Sequence, residues 1–438
     1  MTLRDDASSI YKSCIKNLNP SSRVYDYLKH NNFIEKDFES LFVVSFGKAS
    51  IGMMDGALKY IIDSNLQSKI LGDPIVVTNQ NCPELIHDVT INAHTSSHPT
   101  PSELSVSAAK DVYAYVADAQ ANDIVLVLIS GGGSSLLSMP IEEITLEDKI
   151  NTTNVLLKCG ANINEINSIR KHISNIKGGK LAMICNPANC FSLIISDVIN
   201  DDLSTIASGP TSPDLTTYND CLEIIKKYNI EDEIPENVFN ILISGKDNKK
   251  PETPKVLKNI TNNIICSNRI FRKELSAVAH KYGYKPILPD IDLNSEAVTE
   301  GKNLYDLVES VLKDELSDKF AIITGGETVV NLTGDGVGGR NQELSVAFLD
   351  NVNENLTNVE WSLLSVGTDG IDGPTNAAGA LLDNSSQELL RQKDLNIKDY
   401  LINNDSNTFL KKIDSLFITG PSGNNVADIQ IVLVDRNI

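Results

Sequence analysis

Ile124-Val125-Leu126-Val127-Leu128-Ile129-Ser130-Gly131-Gly132-Gly133-Ser134-Ser135 is the stretch whose reading decides the fold. Six aliphatic residues in succession, rich in β-branched side chains, read as a strand buried on both faces, as in parallel α/β sheets. Three glycines and two serines follow at its carboxyl end, where open α/β sheets hold their ligands. Glycine lets the backbone approach a ligand closely, and free N–H groups in such a turn suit phosphate oxygens. Ser134 or Ser135 is placed to N-cap the helix that follows. A plain strand-to-helix turn rarely needs three consecutive glycines. Gly131, Gly132, Gly133, Ser134 and Ser135 are therefore read as a phosphate site.

Working outward, the same rhythm recurs. Leu41–Phe46 is a short buried strand ending in Gly47-Lys48-Ala49-Ser50, and a lysine at such a turn is placed to meet an anion. Met53-Met54 stand where a P-loop needs Lys-Ser/Thr, so this is not a Walker A motif. Strands at Pro74–Thr78 and Val89–Ala93 lead to Ser97-His98-Pro99 and a helix from Ser102 to Ala119, N-capped by Ser102. His98 either orients substrate or is a structural histidine hydrogen-bonded within its loop. Downstream, helical periodicity over Thr145–Leu157 and Ile163–Ile176 ends in a basic cluster of Arg170, Lys171, His172, Lys177 and Lys180. Part of that cluster suits a helix carboxyl terminus. The strand Phe191–Ser196 runs into Asp197, a good ligand for Mg²⁺, which takes one or two carboxylates together with phosphate oxygens.

A charged, proline-containing connector at Asp247–Pro254 marks the domain boundary, giving domains of 1–250 and 251–438. The second domain opens with strands at Ile264-Ile265 and Tyr284–Leu288 and a helix over Asn294–Leu312. Next come the strand Phe320–Thr324, the turn Gly325-Gly326-Glu327-Thr328 and a strand at Val329–Leu332. Gly334, Gly336 and Gly339 then satisfy GxGxxG literally. That fingerprint expects an acidic residue ending the next strand, whereas Glu360 precedes the strand Ser362–Val366, so a dinucleotide site is disfavoured. Arg340 follows the glycines, and its guanidinium suits a bidentate grip on carboxylate or phosphate. Asp369 and Asp372 share the tight loop after Ser362–Val366, a pair suited to Mg²⁺ or to general-base work. Leu416–Ile418, a polar glycine loop to Asn425 and a strand at Ile429–Val434 close the chain.

The chain's 438 residues suit two or three domains. With 38 basic against 58 acidic residues the net charge is −20, which disfavours nucleic-acid and membrane partners. The first residues lack a signal-peptide pattern, and no apolar run approaches a membrane span. Seven dispersed cysteines without a CxxC pair read as reduced thiols of a cytoplasmic protein. Six histidines without HExxH spacing make a histidine-bound metal unexpected, and without GxSxG a nucleophile elbow is excluded. Strand ends bearing Gly, Ser, Thr, Asp, Lys and Arg fit phosphoryl transfer.

Together the motifs resemble the glycerate 2-kinases, also described as the MOFRL family. The resemblance rests on Ser45–Ala49, Ser97-His98-Pro99 with Pro101, Ile129–Ser135, Asn167–Lys180, Ser196-Asp197-Val198 with Ser208-Gly209-Pro210, and Gly325–Thr328. It continues through Gly338–Glu343, Gly367–Thr375 and Gly420-Pro421, and departs from the family only at Ser422-Gly423-Asn424-Asn425. It implies an N-terminal Rossmann-like three-layer α/β/α domain and a smaller C-terminal mixed α/β domain, with the active site in the cleft between. The implied reaction is ATP-dependent phosphorylation of D-glycerate at its 2-hydroxyl, with a divalent metal such as Mg²⁺. By the same resemblance Lys48 and Arg340 act on phosphates and the substrate carboxylate, Ser97 and His98 line the substrate, and Lys180, Gly325, Gly326 and Glu327 join the ATP-phosphate site. Asp197 and either Asp369 or Asp372 would sit near the metal or the attacking hydroxyl, with Asp369 assigned to catalysis and Asp372 to the metal. A monomer or a homodimer fits the composition. The alternative is an NAD(P)H-dependent hydroxypyruvate reductase.

Overall fold

The computed structural model describes residues 2–31, 37–423 and 425–437, so Asn424 of the terminal loop lies outside the described residues. Two compact units form, one of Pro20–Ile265 and one of Met1–Asn19 with Cys266–Ile438. The boundary thus falls after Ile265, not at residue 250, because the connector leads into the last strand of the first sheet, Ile260–Cys266.

In the unit of residues 20–265 a six-stranded sheet runs in the order Asn92–Thr95, Ile75–Thr78, Leu41–Phe46, Ile124–Ile129, Asn189–Ile195, Ile260–Cys266. The first five pair in parallel. Leu41–Phe46 and Ile124–Ile129 are buried at every position, as their unbroken apolar sequences require for a sheet covered on both faces. Register sets the site: Phe46 lies opposite Ile129, and Ile129 opposite Ile194. The turns that begin at Gly47, Ser130 and Ser196 therefore leave the same edge side by side, the arrangement expected of a doubly wound sheet. Ser102 does cap the helix Glu103–Ala117.

The second unit is a mixed sheet in the order Leu416–Phe417, Gly379–Asp383, Glu360–Gly367, Asp428–Asp435, Lys319–Gly326, Lys285–Ile287. Only Lys285–Ile287 runs parallel to its neighbour. The last strand is the central one, with Asp428 opposite both Gly326 and Gly367. The strand expected at Val329–Leu332 is absent. Val329 and Leu332 are exposed, and a single bridge from Val329 to Glu296 is all that forms.

Residues 1–19, expected in the first domain, belong to this second unit. Thr2 closes a capping box on the helix Leu3–Ile15, which buries Ala7, Ile10, Tyr11 and Cys14. The Tyr11 ring packs edge-on against Phe271 and Phe417, with centroids 6.3 and 5.9 Å away, and Tyr284 donates to Asp6 at 2.7 Å. Aromatic contacts of this kind favour docking beyond simple burial. Among the described residues no helix is long and apolar enough to cross a membrane.

Candidate active site

In the unit of residues 20–265, adjacent parallel strands deliver the turns and hydrogen bonds stitch them together. Lys48 N–H donates to the Gly131 carbonyl at 2.9 Å, and Ala49 N–H donates to Ser130 Oγ at 3.0 Å. Gly132 adopts φ +80°, and a Cβ there would stand 3.2 Å from Lys48 Cγ and 3.0 Å from His98 Cδ2. On Gly131 a Cβ would fall 1.9 Å from Asp197 Oδ2. Both glycines are required by these close approaches. Lys48, His98 and Asp197, which lie far apart in sequence, thus meet over Gly131-Gly132. Burial, with the Lys48 charge second, lowers the pKa of His98 and favours its neutral form.

The glycine turn itself departs from expectation. Gly132, not a serine, caps the short helix Gly133–Leu136, and Ser134 and Ser135 lie within it. Left-handed φ at the cap favours glycine over serine on steric grounds. Ser134 Oγ bonds Ser208 Oγ at 2.9 Å, and Ser208 donates to Asn167 Oδ1 at 3.0 Å. Fully buried Lys177 donates to the carbonyls of Ser134 (2.8 Å), Leu137 and Ala207 (both 3.4 Å), fixing the turn from beneath. Ser97 stands near His98 in sequence, but its hydroxyl donates to Ser102 Oγ at 2.8 Å.

Lys180 does not join this turn. Its ammonium donates to the carbonyls of Lys171 (3.0 Å) and Ser174, closing off a helix end, and burial brings its pKa down to about 8. Its contacts are thus those carbonyls and not the glycine turn on which a phosphate role was expected of it.

In the second unit, the register of the central strand gathers Gly326, Gly367 and Asp428 at one sheet edge. Arg340, first residue of the helix Arg340–Asn351, forks onto buried Asp428 through Nε (2.6 Å) and Nη2 (3.0 Å), and its Nη1 donates to exposed Glu327 at 2.7 Å. Burial disfavours the charged guanidinium, but Asp428 and Glu327 outweigh it and raise the pKa of Arg340. For Asp428 burial prevails, pushing the carboxyl up to about 7 against the pull of Arg340. Half-buried Asp369 accepts from Ile371 N–H at 3.0 Å, and with Arg340 it lines a cavity of about 790 Å³.

Asp372 lines that cavity too, but its oxygens are committed. Oδ1 accepts from Asn341 N and Nδ2 at 3.1 and 3.3 Å, and Oδ2 accepts from Gln342 N and Nε2, both at 2.9 Å. It caps the helix that carries Arg340. With two hydrogen bonds accepted at each oxygen, Asp372 is engaged as a helix cap, a different engagement from the metal-ligand role expected of it. Gly325 and Gly326 likewise have a packing reason: a Cβ would strike Asn268 Oδ1 at 2.2 Å or the Leu293 carbonyl at 2.0 Å. Among the described residues no three His, Cys, Asp or Glu side chains converge to cage a metal ion.

The GxGxxG run is not a dinucleotide turn. No strand leads into it, and Gly334 and Gly336 pack on Asn403, with Gly336 N–H donating to the Asn403 carbonyl at 2.9 Å.

Residues 6–243 match a domain of unknown function, DUF4147, and residues 320–428 match the MOFRL family. A D-glycerate 2-kinase of Thermotoga maritima is 37% identical over 437 residues, 99% of each chain. The chain belongs to the glycerate 2-kinase family. A glycerate 2-kinase of Pyrococcus horikoshii is 36% identical over 406 residues, spanning 91% of this chain and 89% of that one. The crystal structure of the Thermotoga maritima glycerate kinase superposes with a TM-score of 0.87, at 36% identity and 99% coverage of both chains.

Within this family frame, sequence reasoning missed Asp428 and Lys149. Asp428 opens an apolar run and reads as a strand edge, and Lys149 reads as an ordinary helix lysine. An acid at the head of an apolar strand, or a lysine on an apolar helix face, is the signal that was available.

Proposed function

We propose that this protein is an ATP-dependent D-glycerate 2-kinase. One observation carries the reading: Lys48, His98 and Asp197 converge on the Gly131-Gly132 turn in a chain 37% identical, end to end, to a protein named D-glycerate 2-kinase. Phosphoryl transfer asks a protein chiefly for positioning and charge neutralisation. In this reading the exposed Lys48 amine neutralises the transferring phosphoryl group. Arg340 keeps its fork on Asp428 and exchanges its exposed Glu327 partner for the glycerate carboxylate. The 2-hydroxyl oxygen attacks the γ-phosphorus, its proton passes to Asp369, and the bridging P–O bond breaks to release ADP.

Mg²⁺ fits Asp197 as a single carboxylate completed by phosphate oxygens and water, since the carboxylate stands directly over the glycine turn. Bound there, it would supply charge neutralisation on the phosphates. Seven dispersed cysteines without a CxxC pair suit a reducing compartment, and we place the enzyme in the cytoplasm.

Phosphorus NMR of the purified protein with ATP, Mg²⁺ and D-glycerate tests the reading. Growth of a 2-phosphoglycerate signal as ATP falls is expected. A 3-phosphoglycerate signal would overturn the regiochemistry. NADH oxidation on hydroxypyruvate without any phosphorylated product would overturn the kinase.

A further inference from the structure

Beneath the His98 loop, the unit of residues 20–265 holds a cavity of about 360 Å³. Gly132, Ser134 and Ser135 form one wall, and Lys149, Thr153 and Arg170 form another. Lys149 is 3% exposed, and its ammonium touches only the Ser138 hydroxyl among the recorded partners. Arg170 reaches Thr153 Oγ1 at 3.5 Å. Among the described residues neither cation is ion-paired with a carboxylate, although the chain carries 58 acidic residues against 38 basic ones. Nearby Lys177 is also fully buried and has only carbonyl partners. Buried charges without counter-ions are costly, and proteins keep them where a ligand brings the opposite charge.

The cations also sense one another. Burial first, and Arg170 second, brings Lys149 down to about 7; burial, then Lys149 and Arg170, lowers Lys177 as well. A cluster that repels itself this way is stabilised by an anion carrying more than one charge. The cavity falls in the size range of sites for ligands far larger than a three-carbon acid. Pro99, Pro101, Ile150 and Leu157 supply an apolar flank.

We propose that Lys149 and Arg170, together with the Gly132–Ser135 turn, form a phosphoryl-anion site. It deepens the kinase reading and rests on it for the identity of its occupant. It moves the phosphate-binding role expected of Lys180 onto Arg170, a member of the same basic cluster, and onto Lys149, which no motif marked. Two sources share the required chemistry, the polyphosphate of the nucleotide and the phosphate of the phosphorylated acid product.

The experiment is calorimetric titration of the full chain with ADP, with 2-phosphoglycerate and with inorganic tripolyphosphate. Wild type is compared with Arg170→Gln and Lys149→Met, and circular dichroism reports folding. Loss of one charged hydrogen bond should weaken binding of ADP and tripolyphosphate by roughly 10- to 100-fold. Selective weakening of 2-phosphoglycerate would support the site and assign it to product. Binding of all three anions within twofold of wild type in folded Arg170→Gln would overturn the proposal, whatever becomes of the more buried Lys149→Met. Failure of wild type to bind any of the three would overturn it too. These titrations need no turnover, so a chain that binds tripolyphosphate through Arg170 but never phosphorylates glycerate would keep the site and lose the kinase.

Discussion

Replacing Asp372 with alanine separates a helix cap from a metal ligand. The carboxylate holds four hydrogen bonds at the start of the helix that presents Arg340. Its removal strands the backbone N–H groups of Asn341 and Gln342 and the Asn341 amide. Gln342 Nε2 keeps the Asp372 carbonyl at 3.1 Å and Thr375 Oγ1 at 3.2 Å. Asn341 is 1% exposed and Gln342 0%, so neither residue is already served by bulk water. At roughly 1–3 kcal/mol for each of the three stranded groups the gross cost is about 3–9 kcal/mol. Burial already disfavours the ionised carboxyl, and relief of that penalty returns part of the loss. The expected net destabilisation is about 3–5 kcal/mol, against roughly 1–2 kcal/mol for Asp372→Asn, which keeps an acceptor. Urea unfolding followed by tryptophan fluorescence measures both, since the single tryptophan, Trp361, is buried in the same unit. If Asp372→Ala unfolds within about 1 kcal/mol of wild type, yet loses activity that excess Mg²⁺ partly restores, the cap reasoning is wrong.

Lys48→Ala should lower kcat by orders of magnitude with an unchanged unfolding midpoint; a near-normal rate removes Lys48 from the mechanism. Arg340→Ala should lose activity and also stability, by roughly 3–5 kcal/mol, because it leaves Asp428 buried without its partner. Lys180→Met should lower the thermal midpoint while leaving KM for ATP within about twofold, because its ammonium serves backbone carbonyls; a large rise in that KM would reinstate the phosphate role. Asp428, with a carboxyl pushed up to about 7, gains a proton as pH falls through neutrality and loosens its hold on Arg340. The KM for glycerate should therefore rise on acidification from pH 8 to 6, and Asp428→Asn should flatten that profile; an identical profile in the variant would clear Asp428 of the effect.

The parts of this molecule that were legible in the sequence are those fixed by local chemistry. Ile124–Ile129 announces a buried parallel strand because nothing polar interrupts it. The glycine turn after it is equally plain, and its neighbours Lys48 and Asp197 follow from the same strand-end logic. What stayed hidden depends on partners distant in the chain. Asp372 and Asp369 look alike in sequence, and only the helix beginning at Arg340 consumes one of them. Lys180 stands beside Gly178-Gly179 like a phosphate lysine, but the carbonyls it satisfies come from the helix end before it. Val329–Leu332 has the apolar content of a strand and no sheet edge to join. Residues 1–19 carry a clear capping box but no mark of the sheet they cover.

That last placement has a consequence for synthesis. The helix Leu3–Ile15 leaves the ribosome before residues 20–265, yet the strands it covers are encoded after residue 265. At the usual pace of translation, residues 20–265 take roughly ten to fifty seconds to appear. During that interval the contiguous unit can fold, while Ala7, Ile10, Tyr11 and Cys14 have nothing to pack against. Birth order and folding order diverge: this helix is made before the contiguous unit and finds its seat after it.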